Sequence, residues 1–211
     1  MAIDDLLDEH EQGERVRGWL RNNGAGLAGG VLIGLALIFG WQWWQKRTHL
    51  QDQQAYDRYD QASKAVAAGD LAKAKAEVSA MGADSGVYGT LAQLSLAKAQ
   101  VDGKKLDEAI ATLRAIKPEP ALRLVVNQRL ARLLIETGKP DEAVKVIGES
   151  SLASDLEIRG DALLAAGKQE EAKAAYLKAL TSMDVAAPER RLVEIKLTHA
   201  GGTPPEVAES T

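Results

Sequence analysis

The sequence predicts an all-α protein: a single N-terminal transmembrane helix followed by a stack of about four helical hairpins and a C-terminal capping helix. Three observations predict it. No charged residue falls between Asn22 and Gln45, a glycine-centred pattern recurs four times after residue 46, and the large rings are segregated at one end. All four Trp (Trp19, Trp41, Trp43, Trp44) and the only Phe (Phe39) lie in the first 44 residues. The remainder of the chain must pack with Ala, Leu, Val and Ile, which suits closely approaching helices.

The apolar stretch is long enough to span a bilayer. A hydrocarbon core needs about 20 helical residues, and Gly24 to Trp44 supplies 21. Leu27, Val31, Leu32, Ile33, Leu35, Leu37, Ile38 and Phe39 fill its middle. Together they favour insertion by about 2.4 to 4.8 kcal/mol, with no charge to oppose them. Trp41, Trp43 and Trp44 followed by Lys46 and Arg47 form an interfacial belt and a basic stop, and Trp19 with Arg21 marks the other boundary. The run ends in tryptophans rather than a small-residue cleavage site, which predicts an uncleaved anchor. Arg15, Arg17 and Arg21 on one side balance Lys46, Arg47 and Arg58 on the other, so flanking charge does not orient it.

Gly26, Gly30 and Gly34 recur at i, i+4 and i+8 and predict a face on which a second transmembrane helix packs closely. The competing explanation is that glycine is simply frequent in membrane helices. Gly24, Gly26 and Gly29 also satisfy GxGxxG, but no strand precedes them and the next acidic residue, Asp52, lies beyond the apolar run. A dinucleotide site is excluded. Before the anchor, Ile3, Leu6, Leu7, His10, Val16, Trp19 and Leu20 recur at helical spacing among Asp4, Asp5, Asp8, Glu9, Glu11 and Glu14. This segment is read as a solvated juxtamembrane helix or as one that lies on the membrane surface or meets a partner, and the acidic face argues against anionic headgroups as the target of its first half.

After Lys46 four turns share one pattern: AAGDLAKA at Gly69, VDGKKLDEA at Gly103, ETGKPDEA at Gly138 and AAGKQEEA at Gly167. The glycines are 34, 35 and 29 residues apart, close to the 34-residue period of tetratricopeptide repeats. An alanine stands five residues on in three copies (Ala74, Ala143, Ala172) and six in the second (Ala109), where crossing helices need a small side chain. Four residues on stand Val78, Leu113, Ile147 and Tyr176, placed to fill the gap between hairpins. Each glycine is expected to end the first helix of its pair in the left-handed conformation. The pairs are read as 50–68 with 71–81, 86–102 with 105–116, 120–137 with 140–149 and 152–166 with 169–182, capped by 188–198. One hairpin cannot bury its apolar face alone, so stacking supplies the core.

The organisation expected is therefore an N-terminal segment at 1–21, an anchor at 22–45, a repeat domain at 46–200 and a disordered tail at 201–211. Composition excludes several chemistries. Without cysteine there is no disulfide, thiolate metal site, nucleophilic Cys or lipidated N-terminal Cys. A net charge of −4 leaves no electrostatic footprint for nucleic acid. His10, His49 and His199 are scattered, and no GxSxG elbow or GxxxxGK[ST] loop occurs. The Asp and Glu interleave with Lys as on solvated helix faces. The reading is a non-enzymatic chain that needs no cofactor and works by binding proteins.

The layout also resembles a known family. An acidic N-terminus, a Gly-rich anchor with an aromatic exit, and then VYGTLAQLSLAKAQ, NQRLARLL and IRGDALLAAGKQEEAKAAY in that order are similar to the YfgM family of bacterial inner-membrane proteins. Its most specific parts here are Tyr88, Gly89, Leu91, Ala92 and Leu96, then Arg159, Gly160, Ala162, Leu163, Leu164 and Gly167. The resemblance implies an ancillary subunit of the SecYEG translocon, with the N-terminus cytoplasmic and a tetratricopeptide-like domain periplasmic. It also implies association with the membrane-anchored periplasmic chaperone PpiD and transfer of exported client proteins to folding factors. It assigns no binding residue. The alternatives are a membrane-tethered regulator that holds a cytoplasmic signalling protein, and a general envelope-assembly scaffold.

Overall fold

A computed structural model describes residues 2–82 and 85–205, with side chains from residue 13 onward. The tail expected from residue 201 lies outside the described residues beyond 205, and the amphipathic pattern of the first segment lies outside the described side chains as far as residue 12. The described chain is helical without strands. It divides into two compact units, 1–53 and 54–211. Helix α1 (Ala2–Ala67) forms the first and opens the second. The expected limits at residues 21 and 45 thus fall inside one helix.

In the first unit the eight large apolar residues of the anchor are between 44% and 70% exposed. Such a contiguous apolar surface is untenable in water and suits lipid. An 18-residue window within this helix has a mean hydropathy of 1.8, making it the one described helix long and apolar enough to cross a membrane. At its two ends polar side chains turn back on the backbone. The Asn23 amide donates to the Trp19 carbonyl at 3.1 Å and the Thr48 hydroxyl to the Trp44 carbonyl at 3.0 Å. Trp41 and Trp44 lie 5.2 Å apart, and the Arg47 guanidinium stands 5.5 Å from the Trp43 ring. A methyl group added at Gly26, Gly30 or Gly34 would meet no atom within 4 Å, so nothing described in the chain packs on that face.

The second unit continues from the end of α1 with α2 (Leu71–Ala80), α3 (Gly86–Asp102), α4 (Leu106–Ala115), α5 (Pro120–Glu136), α6 (Pro140–Ile147), α7 (Ala153–Ala165), α8 (Gln169–Ser182) and α9 (Arg190–His199). These match the expected helices after residue 70 to within two residues. Pro120 and Pro140 occupy the first helical turn, where a missing N–H is harmless. The Asp70 carboxylate caps α2 by accepting from the Lys73 N–H at 2.9 Å. Three apolar clusters run along the chain. Leu96 packs with Ala65 and Ala74, then Leu94, Leu113, Leu130, Leu134 and Ile158 form the middle, and Leu163, Tyr176, Leu180, Val193 and Leu197 the end.

The repeat alanines are the closest packing points: Ala74, Ala109, Ala143 and Ala172 are each 0% exposed. The turns that precede them share one hydrogen-bond pattern, in which a left-handed residue and its successor reach back to the third- and fifth-previous carbonyls. Gly69, Gly138 and Gly167 take φ near +75° as expected. Gly103 does not. Its φ is −82°, and the left-handed residue is Lys104 at φ 58°, whose N–H donates to the Val101 carbonyl at 2.8 Å while Lys105 donates to Gln100 at 2.7 Å.

The reason lies in the alanine. Counted back five residues, Ala74, Ala109, Ala143 and Ala172 give Gly69, Lys104, Gly138 and Gly167, so the register is kept by the buried alanine and a lysine bears the turn. A residue with a Cβ resists this conformation by about 1 to 2 kcal/mol. Lys104→Gly is therefore expected to stabilise the repeat domain by about 0.5 to 1 kcal/mol after the chain-entropy cost of glycine. A urea midpoint raised by the substitution would show it; a lowered midpoint would show the lysine side chain to be needed.

Candidate partner-binding surfaces

The residues singled out from the sequence do not converge on one site. Ala74, Ala109, Ala143 and Ala172, with their turn residues Gly69, Gly103, Gly138 and Gly167, are distributed one set per hairpin and shape the stack. Tyr176 is the exception, because it links three helices. Its ring is 1% exposed and lies against Gly160 of α7, where an added Cβ would come within 2.4 Å of the ring. Its hydroxyl donates to Asp161 at 2.7 Å, and Lys196 of α9 reaches both Asp161 and Glu157 at 2.6 Å.

This polar junction was not legible as a junction. The sequence places its carboxylates among solvated ones, whereas Glu157 and Asp161 are largely covered and Asp155 is buried. Asp155 accepts from Gln128 and from Ser150, each at 2.7 Å, joining α5 to α7 and the loop between α6 and α7. Arg159 donates to the Gly148 carbonyl at 2.8 Å, and Arg190 donates to the Leu180 carbonyl at 2.9 Å. The only hint was Glu157 and Asp161 standing four residues apart on one helix face.

Burial alone would lower the Lys196 amine, but hydrogen bonds and charge from Asp161 and Glu157 outweigh it and raise it above its ordinary 10.5. Burial, then the bond to Asp161, raises the Tyr176 phenol above its ordinary 10.0. Both folded values exceed the unfolded ones. Their contribution is therefore fully present below about pH 10 and is lost as pH rises beyond it. The repeat domain should lose stability above pH 10, and Lys196→Met with Tyr176→Phe should lose less over the same range in urea titrations. An equal alkaline loss would place its cause elsewhere.

With those groups satisfied internally, what remains outward is surface for recognition. A cleft of about 590 Å³ between α7 and α8 is floored by Leu156, Leu163 and Ala175 and edged by Arg159, Glu171 and Lys178. Tyr88 meets Tyr56 edge-to-face and Tyr59 at a tilt, at centroid distances of 5.6 and 6.0 Å, bringing three of the four tyrosines together. On α9, Leu192 and Ile195 are exposed. Among the described residues no group of three His, Asp or Glu is placed to hold a metal ion. Such surfaces suit protein contacts, because large rings and aliphatic side chains beside isolated charges are what interfaces bury.

Known proteins carry the same layout. The family model described as "Tetratricopeptide repeat-like domain" matches residues 17–202. A protein of Escherichia coli (strain K12) named "Ancillary SecYEG translocon subunit" is 30% identical over 91% of this chain and 96% of its own length. Relatives of the same name from Haemophilus influenzae and Aggregatibacter actinomycetemcomitans are 26% and 25% identical, covering 83% and 92% of this chain and 90% and 98% of theirs. The match runs through the apolar helix as well as the repeats. The chain is a membrane-anchored member of the YfgM family, with a tetratricopeptide-like domain.

Proposed function

We propose that this protein is a non-enzymatic adaptor, an ancillary subunit of the SecYEG translocon that links exported proteins to periplasmic chaperones. The observation that carries the reading is the similarity to the Escherichia coli translocon subunit across 96% of that protein, anchor and repeats together. The helix α1 holds the chain at the membrane, and the hairpins offer the surface for partners. In this reading residues 1–21 are cytoplasmic, 22–45 span the membrane, 46–200 work in the periplasm and 201–211 trail from them. PpiD is the chaperone partner proposed, and the glycine face at Gly26, Gly30 and Gly34 is the proposed contact for membrane helices.

Topology is tested with a sole thiol. The chain has no cysteine, and Ala111 is exposed on α4, so Ala111→Cys introduces one reactive position on the repeat domain. A membrane-impermeant maleimide should label it once the outer membrane alone is opened. Labelling that requires breaching the inner membrane would overturn the periplasmic placement. Partners are tested by photocrosslinkers at Gly30 and at Tyr88. Adducts with SecYEG subunits and PpiD are expected. Adducts confined to a cytoplasmic protein would replace this reading with the tethered regulator.

A further inference from the structure

We propose that the face shared by α3 and α5 is a binding site for an acidic peptide segment of another protein, one that presents a leucine-sized side chain between carboxylates. Leu94, Ala97, Lys98 and Val101 recur on α3 at i, i+3, i+4 and i+7, which puts them on a single face. Arg129, Arg132 and Leu133 do the same on α5. These two faces, with Leu113 of α4 beneath, line an open cavity of about 330 Å³. That is near the lower end of ligand pockets, about 300 to 1,000 Å³, and suits one or two apolar side chains.

The floor and the rim differ in chemistry. Leu94, Ala97, Leu113 and Leu133 are buried, so the floor is hydrocarbon held rigid by the middle of the core. The rim is cationic. Arg129 and Arg132 are exposed, stand one turn apart and make no ion pair among the described residues, although Glu136 lies only one turn beyond Arg132. Lys98 is held by Asp102 at 2.6 Å, both side chains being well exposed, so its pairing is the weak kind that a ligand carboxylate readily exchanges. In a chain of net charge −4, an unneutralised pair of guanidiniums over an apolar cavity is a local inversion of sign.

Charge complementarity names the occupant. Guanidiniums pair with carboxylates in bidentate geometry, and an electropositive rim attracts acidic segments while repelling basic ones. Charge alone would admit a polyanion or a phosphate. The cavity between the cations is what favours a peptide, because only an apolar side chain fills it. An acidic residue on either side of a leucine would place carboxylates on Arg129 and Arg132 with the leucine in the cavity.

This inference rests on reading the repeats as a protein-binding surface, and it is independent of translocon attachment, which the crosslinks at Gly30 report separately. The test uses the full chain in nanodiscs of zwitterionic lipid and a fluorescent peptide of about twelve residues repeating Glu-Glu-Leu. Fluorescence anisotropy should show salt-sensitive binding. Peptides repeating Gln-Gln-Leu or Glu-Glu-Ser should bind at least about tenfold more weakly, as should Arg129→Glu combined with Arg132→Glu against the acidic peptide. Arg129→Gln with Arg132→Gln provides the milder variant, with circular dichroism checking that both retain their helices. Absence of binding, equal binding of either control peptide, or unchanged binding by helical variants would overturn the proposal.

Discussion

Tyr176→Ala is expected to destabilise the repeat domain by about 3 to 5 kcal/mol, the range for truncating a fully buried ring. The ring is 1% exposed and stands directly on Gly160, so its loss leaves a cavity between α7 and α8 that the backbone does not fill. It also removes the hydroxyl that donates to Asp161 at 2.7 Å, leaving that carboxylate to Lys196 alone. Urea unfolding monitored by circular dichroism measures the loss, and a cost below about 1 kcal/mol would contradict a Tyr176-centred core. Gly160→Ala approaches the same contact from the other side, forcing a methyl into the ring at about 1 to 3 kcal/mol. The double variant should cost less than the two losses added, because the cavity accepts the methyl.

Leu35→Arg should release the chain from the membrane. Eight large apolar residues favour insertion by about 2.4 to 4.8 kcal/mol, while an arginine at the helix centre opposes it by about 2.5 to 3.5 kcal/mol and forfeits the leucine's own share. Nothing described in the chain shelters the charge on this stretch of the helix, since the apolar side chains around Leu35 are all exposed. Carbonate extraction of membranes should find the wild type in the pellet and the variant in the supernatant. Retention of the variant would mean that a partner helix or lipid deformation covers the arginine, making the anchor more than a hydrophobic tether.

Periodicity made most of the fold legible. An uncharged run such as Asn22 to Gln45 has one stable solution in a bilayer, because only a helix satisfies its own backbone there. The hairpins were legible for a related reason. A helix end needs a left-handed residue and a tight crossing needs a small one, so glycine and alanine mark each turn in the sequence. Where the two marks disagree, as at Gly103 and Ala109, tertiary packing decided. Buried Ala109 keeps its register and Lys104 accepts the strained conformation.

Polar groups were where reading residue by residue stopped short. Whether Asp155 or Asp161 faces water depends on what lies opposite, and their partners Gln128, Tyr176 and Lys196 come from helices 15 to 35 residues away. The same holds for Arg129 and Arg132. Their spacing puts them on one face of α5, but only the approach of α3 sets an apolar cavity beside them. The sequence by itself determined the apolar run, the helices after residue 70 and the hairpin turns, since these arise from local conformational preference and from hydrophobic period, whereas the helix expected to start at residue 50 is continuous with the anchor in α1. The tertiary structure alone decided which charges are buried, which remain open to a partner and which residue bends at the second turn, because each depends on contacts between distant segments.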